Sequence, residues 1–209
     1  MLVGDDVEQL NRARQTIHRA GGVASIADFR AGGLAKDAVA DFCKAGMLHR
    51  VRRGYYSLAE PESGVVLDEQ ILAALYPEAV VCAHSALFHY GYSDRTPLAW
   101  SLAFPRNFSR SRLKLDYPPI QPYFMQESTF TLGKNTGDFN GVALAVYDRE
   151  RTVCDCFKYR EKMDAEIFNK AIHGYANDSK KNVGNLIQYA RTMRVYNKMA
   201  DVMGVMLND

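Results

Sequence analysis

The residues best suited to recognition chemistry cluster between Lys36 and Arg53. His49, Arg50, Arg52 and Arg53 bring three arginines together with no acid among them, and Lys36 and Lys44 come shortly before. A short basic hairpin can lie along phosphate while a neighbouring helix enters the major groove. On the free side of that helix Lys36 and Lys44 are balanced by Asp37 and Asp41, so its face is near neutral. An aspartate can still accept from the amino group of cytosine, and the hairpin supplies the positive charge that the helix lacks.

Three other groupings invite chemistry and do not complete it. His84 and His89 flank a short helical stretch, but a metal would need more ligands than the nearby Cys82 and Asp94. A Ser85/His89 hydrolase pair lacks the nucleophile-elbow context, so packing or capping is the reading for both histidines. Gly133-Lys134-Asn135-Thr136-Gly137 lacks the residue order of a phosphate loop and reads as a hairpin turn. The densest charged segment is Asp148-Arg149-Glu150-Arg151-Thr152-Val153-Cys154-Asp155. Structurally it is a strand-to-helix junction, with Asp148 as cap, Glu150 in the first turn, and Arg151 and Asp155 spaced for a local ion pair. Functionally, Arg149, Glu150, Arg151 and Asp155 would form an interaction edge. The carboxylates and lysine of a nuclease are not assembled, so no catalytic residue, metal or cofactor is expected.

The elements that must position the basic set follow from periodicity. Val7, Leu10, Ala13, Ile17 and Ala20 recur at helical spacing, and Gly21-Gly22 ends that helix. Ser25 caps a second helix over 26–31, with Asp28 in its first turn. A third runs from about Ala35 to Ala45, burying Leu34, Ala38, Val39, Phe42 and Cys43. The period then changes to two: Leu48–Arg52 and Tyr55–Leu58 pair across Arg53-Gly54, with Val51 opposite Tyr56, His49 opposite Leu58, and Arg50 and Arg52 on one face. Three helices and a terminal hairpin describe a winged helix-turn-helix domain over residues 1–60.

Ala59 to Gly64 reads as a linker. Beyond it, residues 66–209 predict a larger mixed α/β domain with a small sheet and C-terminal helices. Its strands are expected at Val80–Ala83, Trp100–Phe104, Pro122–Met125, Ser128–Leu132 and Val142–Tyr147. Helices are expected over Leu67–Leu75 and Ser85–Tyr90, and from Asp148 onward, with an apolar stripe continuing through Met199, Val202, Met203 and Met206. The fold class is α+β in two domains.

Composition narrows the classes. With 209 residues, 47% hydrophobic and 24% charged, the chain is long enough for one or two packed domains and is not a disordered polymer. No stretch suits a membrane span, and Asp5, Asp6 and Glu8 precede any apolar run, so no secretory leader is expected. Cysteines at 43, 82, 154 and 156 include no C-x-x-C pair and suit reduced thiols in a cytoplasmic protein. A net charge of +2 does not mark a nucleic-acid binder, but the charge is local. Between Arg95 and Leu115 lie Arg95, Arg106, Arg110, Arg112 and Lys114 with no acid.

Three pieces together carry a family likeness: Ala45-Gly46-Met47-Leu48-His49-Arg50-Val51-Arg52-Arg53-Gly54-Tyr55-Tyr56-Ser57-Leu58, then His84-Ser85-Ala86-Leu87-Phe88-His89-Tyr90-Gly91, then Arg149-Glu150-Arg151-Thr152-Val153-Cys154-Asp155. In order and spacing, from about residue 8 to 175, the chain resembles the AbiEi family, antitoxins of type IV toxin–antitoxin (abortive infection) systems. The resemblance implies an N-terminal winged domain that binds operator DNA and represses the antitoxin–toxin operon. It implies a C-terminal domain that counters a nucleotidyltransferase-like toxin and assists cooperative DNA binding. Carried onto this sequence, Lys36, Lys44, Arg50, Arg52 and Arg53 would face DNA, and no catalytic residue is implied. The near-neutral face of the third helix departs from a strongly basic reader, and nothing after Ala176 is covered. A reading from another class is a winged-helix regulator whose second domain senses a small ligand through its aromatic load of 12 Tyr, 10 Phe and one Trp.

Overall fold

The computed structural model describes residues 4–61 and 64–204. Glu62 and Ser63 of the expected linker, and Met206 of the expected apolar stripe, lie outside the described residues. By its contacts the chain divides into two compact units, Met1–Pro77 and Glu78–Asp209. Among the described residues it is a mixed α/β protein with ten α-helices and two small sheets.

The first unit opens with α1 (Gly4–Arg19), which buries Leu10, Ala13 and Ile17. Val7, expected on the same stripe, is 45% exposed, because it lies one turn before the first residue that meets the core. Gly22 N–H donates to Ile17 O and Gly21 N–H to His18 O, closing α1 with both glycines at positive φ. Two residues, β1 (Ala24–Ser25), then add a strand that periodicity cannot show at such length. Ser25 also caps α2 (Ile26–Ala31) in a reciprocal box: its hydroxyl accepts from Asp28 N–H at 3.2 Å, and Asp28 Oδ2 accepts from Ser25 N–H at 2.7 Å. Helix α3 (Lys36–Lys44) turns Val39 and Phe42 into a core with Phe29, Leu34 and Leu48.

Strands β2 (Leu48–Arg52) and β3 (Tyr55–Leu58) form the hairpin, and β1 pairs on the other side of β3. The expected register is corrected by one residue. Leu48 lies opposite Leu58, His49 opposite Ser57 and Arg50 opposite Tyr56; after a bulge Arg52 lies opposite Tyr55. Setting Leu48 into the core fixes this register, and Val51 is the extra residue that the bulge absorbs. Helix α4 (Asp68–Leu75) follows. Its Gln70 lies so close to Gly22 that a Cβ there would meet Gln70 Nε2 at 2.7 Å, which ties α4 to the end of α1.

In the second unit β4 (Val80–Val81) leads into α5 (Ala83–His89), and β5 (Trp100–Pro105), a 3₁₀ turn at Arg110–Leu113 and β6 (Ile120–Met125) come next. After them come α6 (Glu127–Phe130), β7 (Lys134–Phe139) and β8 (Val142–Tyr147). The sheet order is β6-β5-β4-β8-β7, with β5/β6 and β4/β8 parallel and the other pairs antiparallel. Two expectations are corrected here. Ser128–Leu132 is not a strand, since 127–130 coil into α6. Gly133–Gly137 is not a hairpin turn: most of it belongs to β7, and the turn comes later, at Asn140-Gly141, both at positive φ. Lys134, Asn135 and Thr136 are exposed on this edge strand, so no apolar alternation marked it. Pro122 occupies the opposite edge, on β6, where a missing N–H is tolerated.

The chain ends in α7 (Arg149–Lys158), α8 (Ala165–Ala176), α9 (Val183–Thr192) and α10 (Tyr196–Met203). Leu87, Val153, Phe157, Phe168, Ile172, Tyr175, Leu186 and Met199 form one buried cluster. Burial of each large side chain contributes about 1.5–3 kcal/mol. The apolar stripe does not run unbroken from α9: Arg194 turns the chain at φ 59, and Val202 on α10 is 44% exposed. Among the described residues no helix is long and apolar enough to cross a membrane.

Candidate nucleic-acid interface

Helix α3 exposes Lys36, Asp37, Asp41 and Lys44, while Val39 and Phe42 on its other side hold it to the core. Lys44 Nζ donates to Asp41 Oδ1 at 2.8 Å, an exposed contact one turn apart that raises the lysine pKa. Such a pair adds little stability, yet it occupies one of the helix's two cations. Lys36 remains at the N-terminal end of the helix without an ion pair among the described residues.

The hairpin presents the rest. His49, Arg50 and Arg53 are exposed and Arg52 is half-buried. Residues directly opposite in a ladder share a face, so Arg50 goes with Tyr56 and Arg52 with Tyr55, and the bulge at Val51 sends the two arginines to opposite faces. Tyr56 is fixed edge-on against Phe29, with ring centroids 6.0 Å apart, so the strand beneath Arg50 is anchored to the core. Burial pushes the Cys43 thiol, on the last turn of α3, up, and the Arg50 guanidinium opposes that shift. Gly54 makes the turn at φ 88, and Ile26 N–H donates to Gly54 O at 2.9 Å, holding the hairpin tip against the start of α2. Helix face and hairpin together thus carry five cations against two aspartates, a concentration suited to a polyanion.

The second predicted group, Arg149, Glu150, Arg151 and Asp155, lies in the other unit. Glu150, Arg151 and Asp155 are 5%, 1% and 0% exposed, so Arg149 alone of the four offers surface to a partner. Their partners explain the charge density. Asp148 Oδ1 accepts from Arg151 N–H at 2.8 Å, and its Oδ2 accepts from Tyr189 OH on α9 at 3.1 Å. Glu150 Oε1 accepts from Tyr175 OH on α8 at 3.1 Å and from Asn182 N–H, at the start of α9, at 2.7 Å. Arg151 Nε lies 3.2 Å from Asp155 Oδ1, its Nη1 donates to the carbonyls of Thr129 and Leu132, and its guanidinium lies 4.2 Å over the Tyr147 ring. This segment is where three helices and the sheet are joined.

Sequence reasoning missed Asp178. Its Oδ2 accepts from Arg149 Nε at 2.9 Å and from Tyr92 OH at 2.6 Å. Burial would raise this carboxyl, but the Tyr92 hydroxyl, the Lys180 N–H and Arg149 outweigh it and hold it below the usual carboxylate range. No local spacing could announce a pair 29 residues apart. His89 stacks on Phe139 with centroids 4.3 Å apart, His84 Nε2 is buried without a hydrogen-bond partner among the described residues, and burial lowers the pKa of both histidines. Among the described residues no group of three or more His, Cys, Asp or Glu is placed to hold a metal ion.

No protein-family profile matches the chain, and no curated protein is similar to it in sequence. Among solved structures, the chain is similar to the Rv2827c protein from Mycobacterium tuberculosis. The TM-score is 0.63 at 12% identity, over 96% of this chain and 81% of that one. At that identity the likeness is one of fold.

Proposed function

We propose that the chain is a DNA-binding antitoxin without enzymatic activity, which represses its own operon and counters a nucleotidyltransferase-like toxin. In this reading α1–α3 with the three-stranded sheet act as a winged helix-turn-helix: α3 enters the major groove and the β2/β3 hairpin lies along the adjacent phosphates. The observation that carries it is the exposure of Arg50 and Arg53 on the hairpin that directly follows α3. Lys36 and Lys44 on the exposed side of α3 are further candidates, while His49 and Arg52 lie on the other face of the hairpin from Arg50. The toxin half of the proposal rests on the family resemblance of the quoted segments, with Arg149 the member of the charged segment that reaches solvent.

Two measurements on the full chain test the halves separately. Fluorescence anisotropy with a duplex from upstream of its reading frame should show binding that outcompetes an unrelated duplex by a factor of roughly 10³ or more. Co-expression with the toxin of the same operon should restore growth. Equal affinity for both duplexes would remove the operator role, and binding without rescue would leave a regulator that is not an antitoxin.

A further inference from the structure

A cavity of about 460 Å³ opens in the second unit between the end of β6, α6, α7 and the turn after α9. Its polar lining is one-sided. Arg151, Lys158 and Arg194 contribute three cations, Ser128, Thr129, Tyr159 and Thr192 contribute hydroxyls, and no acidic side chain lines it. Asp155 behind Arg151 answers one of the three charges. Among the described residues Lys158 and Arg194 take part in no ion pair, so two positive charges are left for a ligand.

Arg151 also has hydrogen-bonding capacity to spare. A guanidinium carries five N–H groups. Nε donates to Asp155, and the Nη1 pair is used by the Thr129 and Leu132 carbonyls. Nη2 has only the Met125 sulfur, 3.1 Å away and a weak acceptor, and Met125 itself lines the cavity. Arg194 is held in the left-handed region, at φ 59, a helix-end position where glycine is the ordinary occupant. An arginine placed there accepts backbone strain, and this exposed Arg194 is one of the cavity's lining residues.

We propose that this cavity binds a small phosphate monoester, with Lys158 and Arg194 at the phosphate, the buried Arg151 in the wall behind them, and Phe124, Tyr159 and Met193 against its apolar or flat body. The charge excess of two matches a phosphate monoester, which carries about −1.5 to −2 at neutral pH. The volume falls in the roughly 300–1,000 Å³ range of small-molecule sites. A second cavity, of about 360 Å³, makes the contrast: its one cation, Arg95, is already paired with Glu166 and Asp164. The proposal uses no residue of the first unit and stands or falls apart from the DNA reading.

Calorimetric titration of the full chain with adenosine 5′-monophosphate, and with adenosine as the uncharged arm, tests it. Saturable binding of the monophosphate at one site, with adenosine at least roughly tenfold weaker, is expected. Arg194→Gly combined with Lys158→Gln should weaken the monophosphate by at least roughly tenfold while leaving the melting temperature unlowered, because glycine accepts the backbone at 194. Arg106→Gln with Lys162→Gln removes the same net charge away from the cavity and should leave the affinity unchanged. No saturable binding, adenosine as tight as its monophosphate, or equal losses in the two double variants would each overturn the assignment.

Discussion

Arg151 Nε and Asp155 Oδ1 lie 3.2 Å apart, one turn along α7, with the two side chains 1% and 0% exposed. Burial pushes the Asp155 carboxyl up and the adjacent guanidinium pulls the other way. Removing one partner leaves the other charge buried alone, so Asp155→Ala should destabilise the second unit by about 3–5 kcal/mol. Arg151→Met with Asp155→Leu should cost less than that single change, since an apolar pair strands no charge. Urea unfolding of the three proteins compares them directly. A double variant weaker than Asp155→Ala would show that the carbonyl bonds of Arg151, and not the ion pair, dominate.

Asp178 gives stability a pH dependence of defined sign. Its carboxyl is held below the unfolded value, so the ionised form stabilises the fold. That contribution is complete above the unfolded pKa of about 3.9 and is lost as pH falls through the depressed folded value. Asp178→Asn should cost about 1 kcal/mol at pH 7 after allowance for solvent screening. The gap from the parent protein should hold from pH 7 to 5 and close below pH 4 or so, as followed by thermal unfolding.

The reciprocal box at α2 is tested by Ser25→Ala, which removes the acceptor for Asp28 N–H. The change should lower the stability of the first unit by about 1 kcal/mol, with Ser25→Gly milder by some tenths. A loss confined to the second unit's transition would contradict the assignment.

The hairpin arginines should contribute affinity more than sequence choice. Arg50→Ala with Arg53→Ala removes two candidate phosphate contacts and should flatten the slope of log affinity against log salt by roughly two. Lys44 is shared with Asp41, so Lys44→Ala should matter less, and Asp41→Asn should tighten binding by freeing the lysine. A slope untouched by the arginine pair would move the contact elsewhere.

Local signals served well where local chemistry decides. Ser25 and Asp28 announced α2, glycines announced the ends of α1 and α3, and Asp148 announced α7. They failed where a distant group decides. Thr129, Phe130 and Thr131 favour a strand by residue type, yet the carbonyls of Thr129 and Leu132 are taken by Arg151, about twenty residues onward, and 127–130 form a helical turn. Strand β7 was hidden for another reason: its pairing with β8 is made by backbone, and its exposed side chains carry no pattern. In the candidate interface the residue types were legible, but the bulge at Val51 that parts Arg50 from Arg52 was not, because one inserted residue leaves no mark on composition.

The two ends of the five-stranded sheet differ in sequence but share one property. Pro122 on β6 cannot donate from its backbone, and Lys134, Asn135 and Thr136 surround the free side of β7 with polar, hydrated groups. Each end is thereby a poor template for another chain's strand. During synthesis in a crowded cell, this sheet should resist runaway lateral growth into aggregates. Replacing Pro122 and Lys134 together with valine would remove both guards, and a rise in insoluble protein on overproduction is the expected consequence.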